Sequence, residues 1–514
     1  MAVACCAHAQ APSDSLFTTD QVLEVHLEFS DPDFWNTLTT YYTNDLGQTL
    51  TAAITITDQY GTFTFDSVEV DLKGNSSYSH PGNKKSFKVD FNDHLDEQKF
   101  RGLSKMHFNN CWSDPTFLRE KVFFDFCVDH GVLAPRVEFA NVYMNGTFWG
   151  FYNTVEAVDK NFLDRWVDDN DGNLFKAGDN FAGGGGGGGT SGEADLKYYG
   201  SSPSSYTSRY ELKTNETAND WTDLIALLDL LNNTSDADLA TQLPDQWVWA
   251  PLLRSLALDN LFANLDAYIN SARNYYLYHD STTFQWNWIH WDANMAFGRY
   301  SGMGGGGGGS LLNLAPNYLA ANRPLMTKVM GIPSFYNDYL TEYCAVFDDF
   351  TNAALDPHID SLVDLIAPHV YADANKQYTS AQFDANIDNN ITVTGGGGGG
   401  GGGTQTVYGL KSFITSRRSY LSGALPCTTL GVPDARGSEV LGLWPNPANE
   451  NVTIRTGDDR SVISVRVYDA TGRKLLDAPW TPELSVSGYA PGSYVVEVVF
   501  ATGGTARAQV VMQH

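Results

Sequence analysis

Positive charge is scarce in this 514-residue chain: 32 Lys and Arg face 60 Asp and Glu, a formal net charge of −28. A nucleic-acid binder needs a basic footprint, so composition argues against that class. Long apolar runs are missing as well; none reaches the roughly 18–20 residues of a membrane span. Cysteine is sparse, six in all. Beyond Cys5 and Cys6 the remaining four, Cys111, Cys127, Cys344 and Cys427, form no CxxC zinc pattern. A Cys111–Cys127 disulfide, the pair nearest in sequence, and buried free thiols are both open. No HExxH, no G-x-S-x-G and no cysteine-protease signature occurs, so hydrolase chemistry has little support.

What is present speaks for folded domains. Aromatic content of 13% and hydrophobic content of 42% argue against disorder, and the length calls for more than one core. The acidic balance fits an exported soluble protein or a cation binder. At the N-terminus, Ala7-His8-Ala9 before Gln10 reads as a signal-peptide remnant over residues 1–9, although a basic leading region is lacking. Three glycine runs, 183–189, 304–309 and 395–403, lack the Lys-Ser/Thr that ends a P-loop. They read as surface loops that punctuate folded structure.

Residues 20–165 are mostly strands. "DSVEVDLKG" (66–74) and "KSFKVDF" (85–91) alternate, and "VEFANVYMNG" and "FWGFYNTVE" pair across Asn145-Gly146. One helix, 115–131, sits among them. From 166 to 428 helices dominate, over 219–233, 245–264, 324–350, 353–371 and 405–423. The exception is a strand pair, "NYYLYHD" and "FQWNWIHWD". After a linker at 429–437 rich in Gly and Pro, residues 438–514 break into short alternating strands with Gly, Asn and Asp turns. That spacing predicts a small all-β sandwich.

The stretch "WNWIHWDANMAFG" (286–298) surrounds one carboxylate, Asp292, with aromatic residues, and Asn294 follows two positions on. Alternation would put Trp286, Trp288, His290 and Asp292 on one strand face. A buried carboxylate without a partner costs several kcal/mol. A cation is the obvious partner.

Two resemblances give these residues a context. Residues 438–514 resemble the type A C-terminal sorting domain of proteins exported by the type nine secretion system of Bacteroidetes. The carriers are "WPNPANENVTI", "VRVYDATGRKLL" and "YAPGSYVVEV". The body resembles the CotH family through "LKGNSSYSHPGNKKSFKVDF", "LREKVFFDF", "NVYMNGTFWGFYNTVEAVDKNFL", "NLDAYINSARNYYLY" and "WIHWDANMAFG". That resemblance implies an α+β fold: an atypical two-lobed, protein-kinase-like domain over 20–428 (small lobe 20–165, large lobe 166–428), binding ATP and Mg2+, with Mn2+ as a substitute.

Carried onto this chain, the resemblance makes Asp266 the catalytic carboxylate, Asn274 a metal ligand and Asp292 the metal-holding acid. Asn294 stands where many family members have a second Asp; its amide oxygen can coordinate but brings no charge. Lys85, on a strand face with Phe87, Val89 and Phe91, suits the α/β-phosphates, with Lys84 or Lys73 as alternatives. Lys73 stands where the family commonly has Arg. Arg119 is a further phosphate candidate, and Glu156 marks the adenine pocket at a hinge or caps the next helix. The expectation is a secreted kinase acting on Ser or Thr of exported or surface proteins, with nucleotide and secretion machinery as partners. The alternative is a non-catalytic surface or structural binding protein that keeps the scaffold.

Overall fold

Leu23, Val25 and Leu27 alternate with more exposed residues in β1 (Val22–Glu28), and the alternation gives the strand one apolar face. Similar patterns recur in β2 (Leu50–Asp58), β3 (Gly61–Leu72), β4 (Phe87–Asp90) and β5 (Lys105–Asn109). The strands β6 (Val137–Met144) and β7 (Thr147–Glu156) are buried along most of their length. In the computed structural model these strands close into a seven-stranded barrel of order β1-β2-β3-β4-β5-β7-β6. The seal is the parallel pairing of β1 with β6; the other neighbours run antiparallel. The expectation for this segment was a strand-rich small lobe. Its strands close into a barrel because β1 pairs on both sides, leaving no free edge.

The structure describes residues 12–17, 20–167, 169–178, 193–300, 310–394, 404–427, 442–446, 448–455, 462–469, 473–500 and 505–513. The expected signal remnant, the three glycine runs and the linker lie outside the described residues. Residues 1–427 and 428–514 form separate compact units.

Two short helices, α1 (Asp14–Phe17) and α2 (Phe34–Thr43), precede β2 and were not foreseen. The helix expected over 115–131 is α3 (Arg119–Asp129). It starts late because Asp114 accepts the backbone N–H of Thr116 and of Arg119, and Phe117 has φ +62. Helix α3 lies at the seam between the barrel and the helical half: Phe123 and Phe126 meet Phe262 at 5.2 and 5.3 Å. One hydrophobic cluster contains these rings together with Phe139 and Phe151 from the barrel, so the two halves share a core.

The second half begins with α4 (Lys160–Trp166), β8 (Asn173–Ala177) and β9 (Tyr210–Leu212). The helices α5 (Thr222–Asn233), α6 (Asp236–Gln242), α7 (Trp249–Leu261) and α8 (Tyr268–Ser271) follow. Strands β10 (Tyr275–His279) and β11 (Trp286–His290) complete an antiparallel sheet of order β11-β10-β8-β9. The single helix expected over 324–350 is two, α9 (Pro324–Gly331) and α10 (Pro333–Asp349). Pro333 pushes Ile332 to an extended conformation and breaks the run. Then come α11 (Asn352–Ala372), α12 (Ser380–Asp388), the paired strands β12 (Ile391–Thr394) and β13 (Thr404–Val407), and α13 (Leu410–Ala424). A disulfide joins Cys344 to Cys427, while Cys111 and Cys127 are buried free thiols.

In the second unit β14 (Gly442–Trp444), β15 (Asn451–Arg455), β16 (Val462–Asp469), β17 (Lys474–Pro479), β18 (Glu483–Ser485), β19 (Gly492–Phe500) and β20 (Thr505–Met512) form two sheets, β14-β15-β18 and β17-β16-β19-β20. Val452, Ile454 and Leu484 from one sheet and Val465, Val467, Val496 and Val498 from the other make one core.

A fully buried ion pair fastens the barrel to the helical half. The ammonium of Lys84, just before β4, lies 2.7 Å from Asp373 at the end of α11, and neither side chain is exposed. The same carboxylate accepts the backbone N–H of Phe151. Removing one partner strands a buried charge, so Lys84→Met is expected to cost about 3–5 kcal/mol. The double variant Lys84→Met/Asp373→Leu should recover much of that loss, as read by thermal unfolding of the full chain. A single variant as stable as the parent would show that the pair does not hold the halves together.

Candidate functional site

Apolar residues fill the barrel and leave the polar ones outside. Along β3, β4 and β5, Val70, Val89 and Met106 are buried in the barrel core, as are Leu72, Phe87 and Phe108. Asp71, Lys88 and His107 are direct cross-strand partners and share the opposite face. Lys73 lies on that face too, and its backbone N–H still bonds to Ser86. The sheet of the second half supplies the facing wall. There Lys176 is paired with Tyr276, and Tyr276 meets the Trp291 ring edge-on at 5.6 Å. Trp291 in turn meets His107 at 5.3 Å and carries the Lys73 ammonium 5.4 Å above its ring. Trp291 is thus a post between the two sheets, and Asp292 is the next residue.

Strand β11 ends at His290, so Asp292 does not continue its face as the alternation predicted. His290 goes into the core against Phe123, at 5.2 Å. Asp292 has φ +50 and Asn274 φ +61, the left-handed region that Asp and Asn tolerate best. The N–H of Trp291 bonds to the Asn274 carbonyl at 3.2 Å, which ties the start of β10 to the turn after β11. Asn274 also donates its side-chain N–H to the backbone carbonyl of Asp266, 3.0 Å. Asp266 itself caps no helix: Ala267 is the N-cap residue of α8. The Arg273 guanidinium lies 3.7 Å from the Asp266 carboxylate, and one Asp266 oxygen is buried without a hydrogen-bond donor.

Charge couples these groups. Burial raises Asp266 from the ordinary 3.8 to about 7; Arg273 opposes the rise and the Asp292 charge adds to it. Burial likewise lifts Glu120, on α3, to about 7, again with Asp292 adding. Glu120 accepts the side-chain N–H of Asn109 at 2.9 Å and the backbone N–H of Ala293, so it ties barrel, helix and Asp292 loop together. Asp292 is raised by burial and held down by Lys73, Lys176 and Arg273, in that order. Burial lowers Lys73 to about 8, against the pull of Asp292 and Glu120.

Asp266, Asn274, Asp292 and Asn294 therefore come together. The Asn294 backbone N–H donates to Asp292, and its side-chain nitrogen reaches the Trp112 carbonyl at 3.4 Å. Three other expected residues do not join them. The Lys85 ammonium donates to the carbonyls of Tyr78 and His80, at 2.7 and 2.6 Å, and lies over the Tyr78 ring. Arg119 is buried on Asp114, Thr116, Asn386 and the Tyr408 carbonyl. Glu156 is held by Arg136 at 3.0 Å. Arg119 and Glu156 are neutralised by internal ion-pair partners, and Lys85 is held by backbone carbonyls.

The alternative lysine, Lys73, is the one that lies beside Asp292. Glu120, Lys176 and Arg273 were missed. Glu120 left a signal: it lies at i, i+3, i+4, i+7 spacing with Phe123, Phe124 and Cys127, an acid on a buried helix stripe. Lys176 shares a β8 face with buried Leu174.

The donor set fits a hard divalent cation. It is all oxygen: Asp292, with the amide oxygens of Asn274 and Asn294, whose nitrogens are spent on carbonyls. A separate group, Glu69, Asp93 and His94, also brings ligand atoms together, but Thr49, Thr51 and His94 already satisfy Glu69.

The family described as CotH kinase protein matches residues 70–421, and the one described as a secretion system C-terminal sorting domain matches 442–513. Inner spore coat protein H of Bacillus subtilis (strain 168) is 26% identical over 325 residues, spanning 62% of this chain and 83% of that protein.

A pH dependence follows from the two raised carboxyls. Folded Asp266 and Glu120 keep protons that the unfolded chain loses near the ordinary 3.8 and 4.5, up to about 7. The folded state then binds more protons, and stability falls as pH rises through that window. Asp266→Asn is expected to flatten the decline in Tm between about pH 5 and pH 8. Mn2+ at pH 8 should raise the parent Tm and that of Asp292→Asn much less. Equal responses would exclude Asp292 as a cation ligand.

Proposed function

The chain belongs to the CotH family and ends in a secretion-system sorting domain, and from that premise we propose that it is an exported phosphotransferase that moves the terminal phosphate of ATP to Ser or Thr hydroxyls of exported or surface proteins. Export through the type nine system to the cell surface or the medium follows from the sorting domain. Among the described residues no helix is long and apolar enough to cross a membrane.

The observation that carries the reading is the convergence of Asp266, Asn274, Asp292, Glu120 and Lys73. In this reading the barrel half and the helical half act as the two lobes of a kinase-like cleft. Asp292, with Asn274 and Asn294, would hold Mg2+ or Mn2+. When bound, the cation neutralises phosphate charge and aligns the chain of phosphates. Lys73, just past a barrel strand, and Glu120, on the helix packed beside it, match the lysine–glutamate pair that orients phosphates in protein kinases. Asp266 accepts the proton of the attacking hydroxyl as the new oxygen–phosphorus bond forms and ADP leaves. A carboxyl lifted to about 7 is suited to that work near neutral pH. Activity should therefore rise with pH through that value.

A second reading rests on Asn294. Its amide brings no charge, which weakens a second cation and favours a scaffold that binds without catalysis.

Isothermal titration and transfer from labelled ATP to a Ser-rich polypeptide separate the two. Asp292→Asn should abolish cation-dependent ATP binding. Asp266→Ala should leave binding within about threefold while transfer drops by about 10²–10⁴, because a general base acts in the transition state. Cation-dependent ATP binding with no transfer at any pH, by a parent chain that melts cooperatively, would leave the binding reading in place.

A further inference from the structure

We propose that Lys176 is a second phosphate-binding lysine, which grips the nucleotide from the sheet of the helical half while Lys73 grips it from the barrel. The proposal rests on the cleft being a nucleotide site.

Lys176 has an acidic neighbour it does not use. Its direct cross-strand partners are Tyr276 on β10 and Glu211 on β9, and cross-strand partners share a face. Glu211 lies 3.6 Å from Lys213 instead. Among the described residues the Lys176 ammonium makes no hydrogen bond and no ion pair. Half-buried Lys176 shares its face with Tyr276, whose ring meets Trp291, the post that also carries Lys73. Lys176 and Lys73 therefore stand on the two walls that meet at Trp291, the residue before Asp292.

Two ammonium groups gathered around one turn repel each other, an arrangement that an anionic ligand with several charges would relieve. Polyphosphate fits this; a single carboxylate ligand does not need it. Lys176 stands on the β8–β10 wall, beside Tyr276, and from there would take the phosphates that stay with the nucleotide.

The test is titration of the full chain with Mn2+–ADP and with Mn2+–adenosine, for the parent, K176M and K176R. K213M, a lysine already paired with Glu211, is the control for loss of one positive charge. K176M should weaken ADP by about tenfold or more and leave adenosine unchanged. K176R should stay within about threefold of the parent, since the charge is kept. K213M should match the parent. If K176M melts early, K176Q carries the same comparison. Equal ADP affinity for the parent and a folded K176M or K176Q overturns this proposal alone. A parent chain that binds no Mn2+–nucleotide overturns the phosphotransferase reading and this proposal with it.

Discussion

Carboxylates resist sharing a buried site: burial pushes up both Asp266 and Glu120, and the charge of Asp292 adds to each rise. Compensation has to come from cations brought in along the chain. Lys73 follows a barrel strand, Lys176 sits in the second sheet and Arg273 follows a short helical turn. Only Asp266 has a local counter-charge, Arg273 seven residues on; Asp292 and Glu120 draw on Lys73, and Asp292 on Lys176, from distant segments. The site can therefore exist only when the barrel lies against the β8–β10–β11 sheet, and the tertiary fasteners serve that closure. Trp291 shows the same logic in apolar form. One ring touches Tyr276, His107 and Lys73, one contact from each surrounding piece of chain.

The fasteners are themselves buried charges. Arg417 donates to the carbonyls of Leu261, Leu314 and Asn260. Arg119 ties Asp114 to the segment holding Asn386 and Tyr408. Arg136 clamps Glu156 and, at 2.8 Å, Asp14. Buried ion pairs add little net stability over apolar packing, but each has a unique satisfied geometry, and a slipped alternative leaves a charge uncompensated. In a buried site whose walls come from distant segments, such uniqueness of registry matters more than raw stability.

That use of charge explains what was legible in the sequence. That Asp266, Asn274 and Asp292 lie together was legible because each sits in a short stretch whose surroundings are unusual: an aromatic frame for Asp292, a polar loop before a strand for the other two. Lys85, Arg119 and Glu156 were misread because sequence shows a charge and not its partner. Lys85 is satisfied by two backbone carbonyls six residues or so upstream, contacts made by a local loop that no periodicity reports. Barrel closure was hidden for a similar reason. The parallel β1–β6 pairing joins Val22 to Phe139, and strand alternation carries no record of which distant strand lies alongside. The break at Pro333 was the opposite case, a local signal overridden by a long apolar period.

Cysteine placement bears on the exported state. Among the described residues Cys344 and Cys427 are bridged, a link from α10 to the end of the first unit. Cys111 and Cys127 are buried, and burial pushes both thiols well above their usual range, Cys127 further under the charge of Asp259. Thiol–disulfide exchange proceeds through the thiolate, so neither competes readily for the bridge once the fold is formed. The alternative pair, nearest in sequence, is separated in function by the fold: Cys111 lies in the turn that precedes α3, and Cys127 on its buried face. The folded first unit thus holds one bridge and two buried thiols, and no cysteine is among the groups gathered at Asp292.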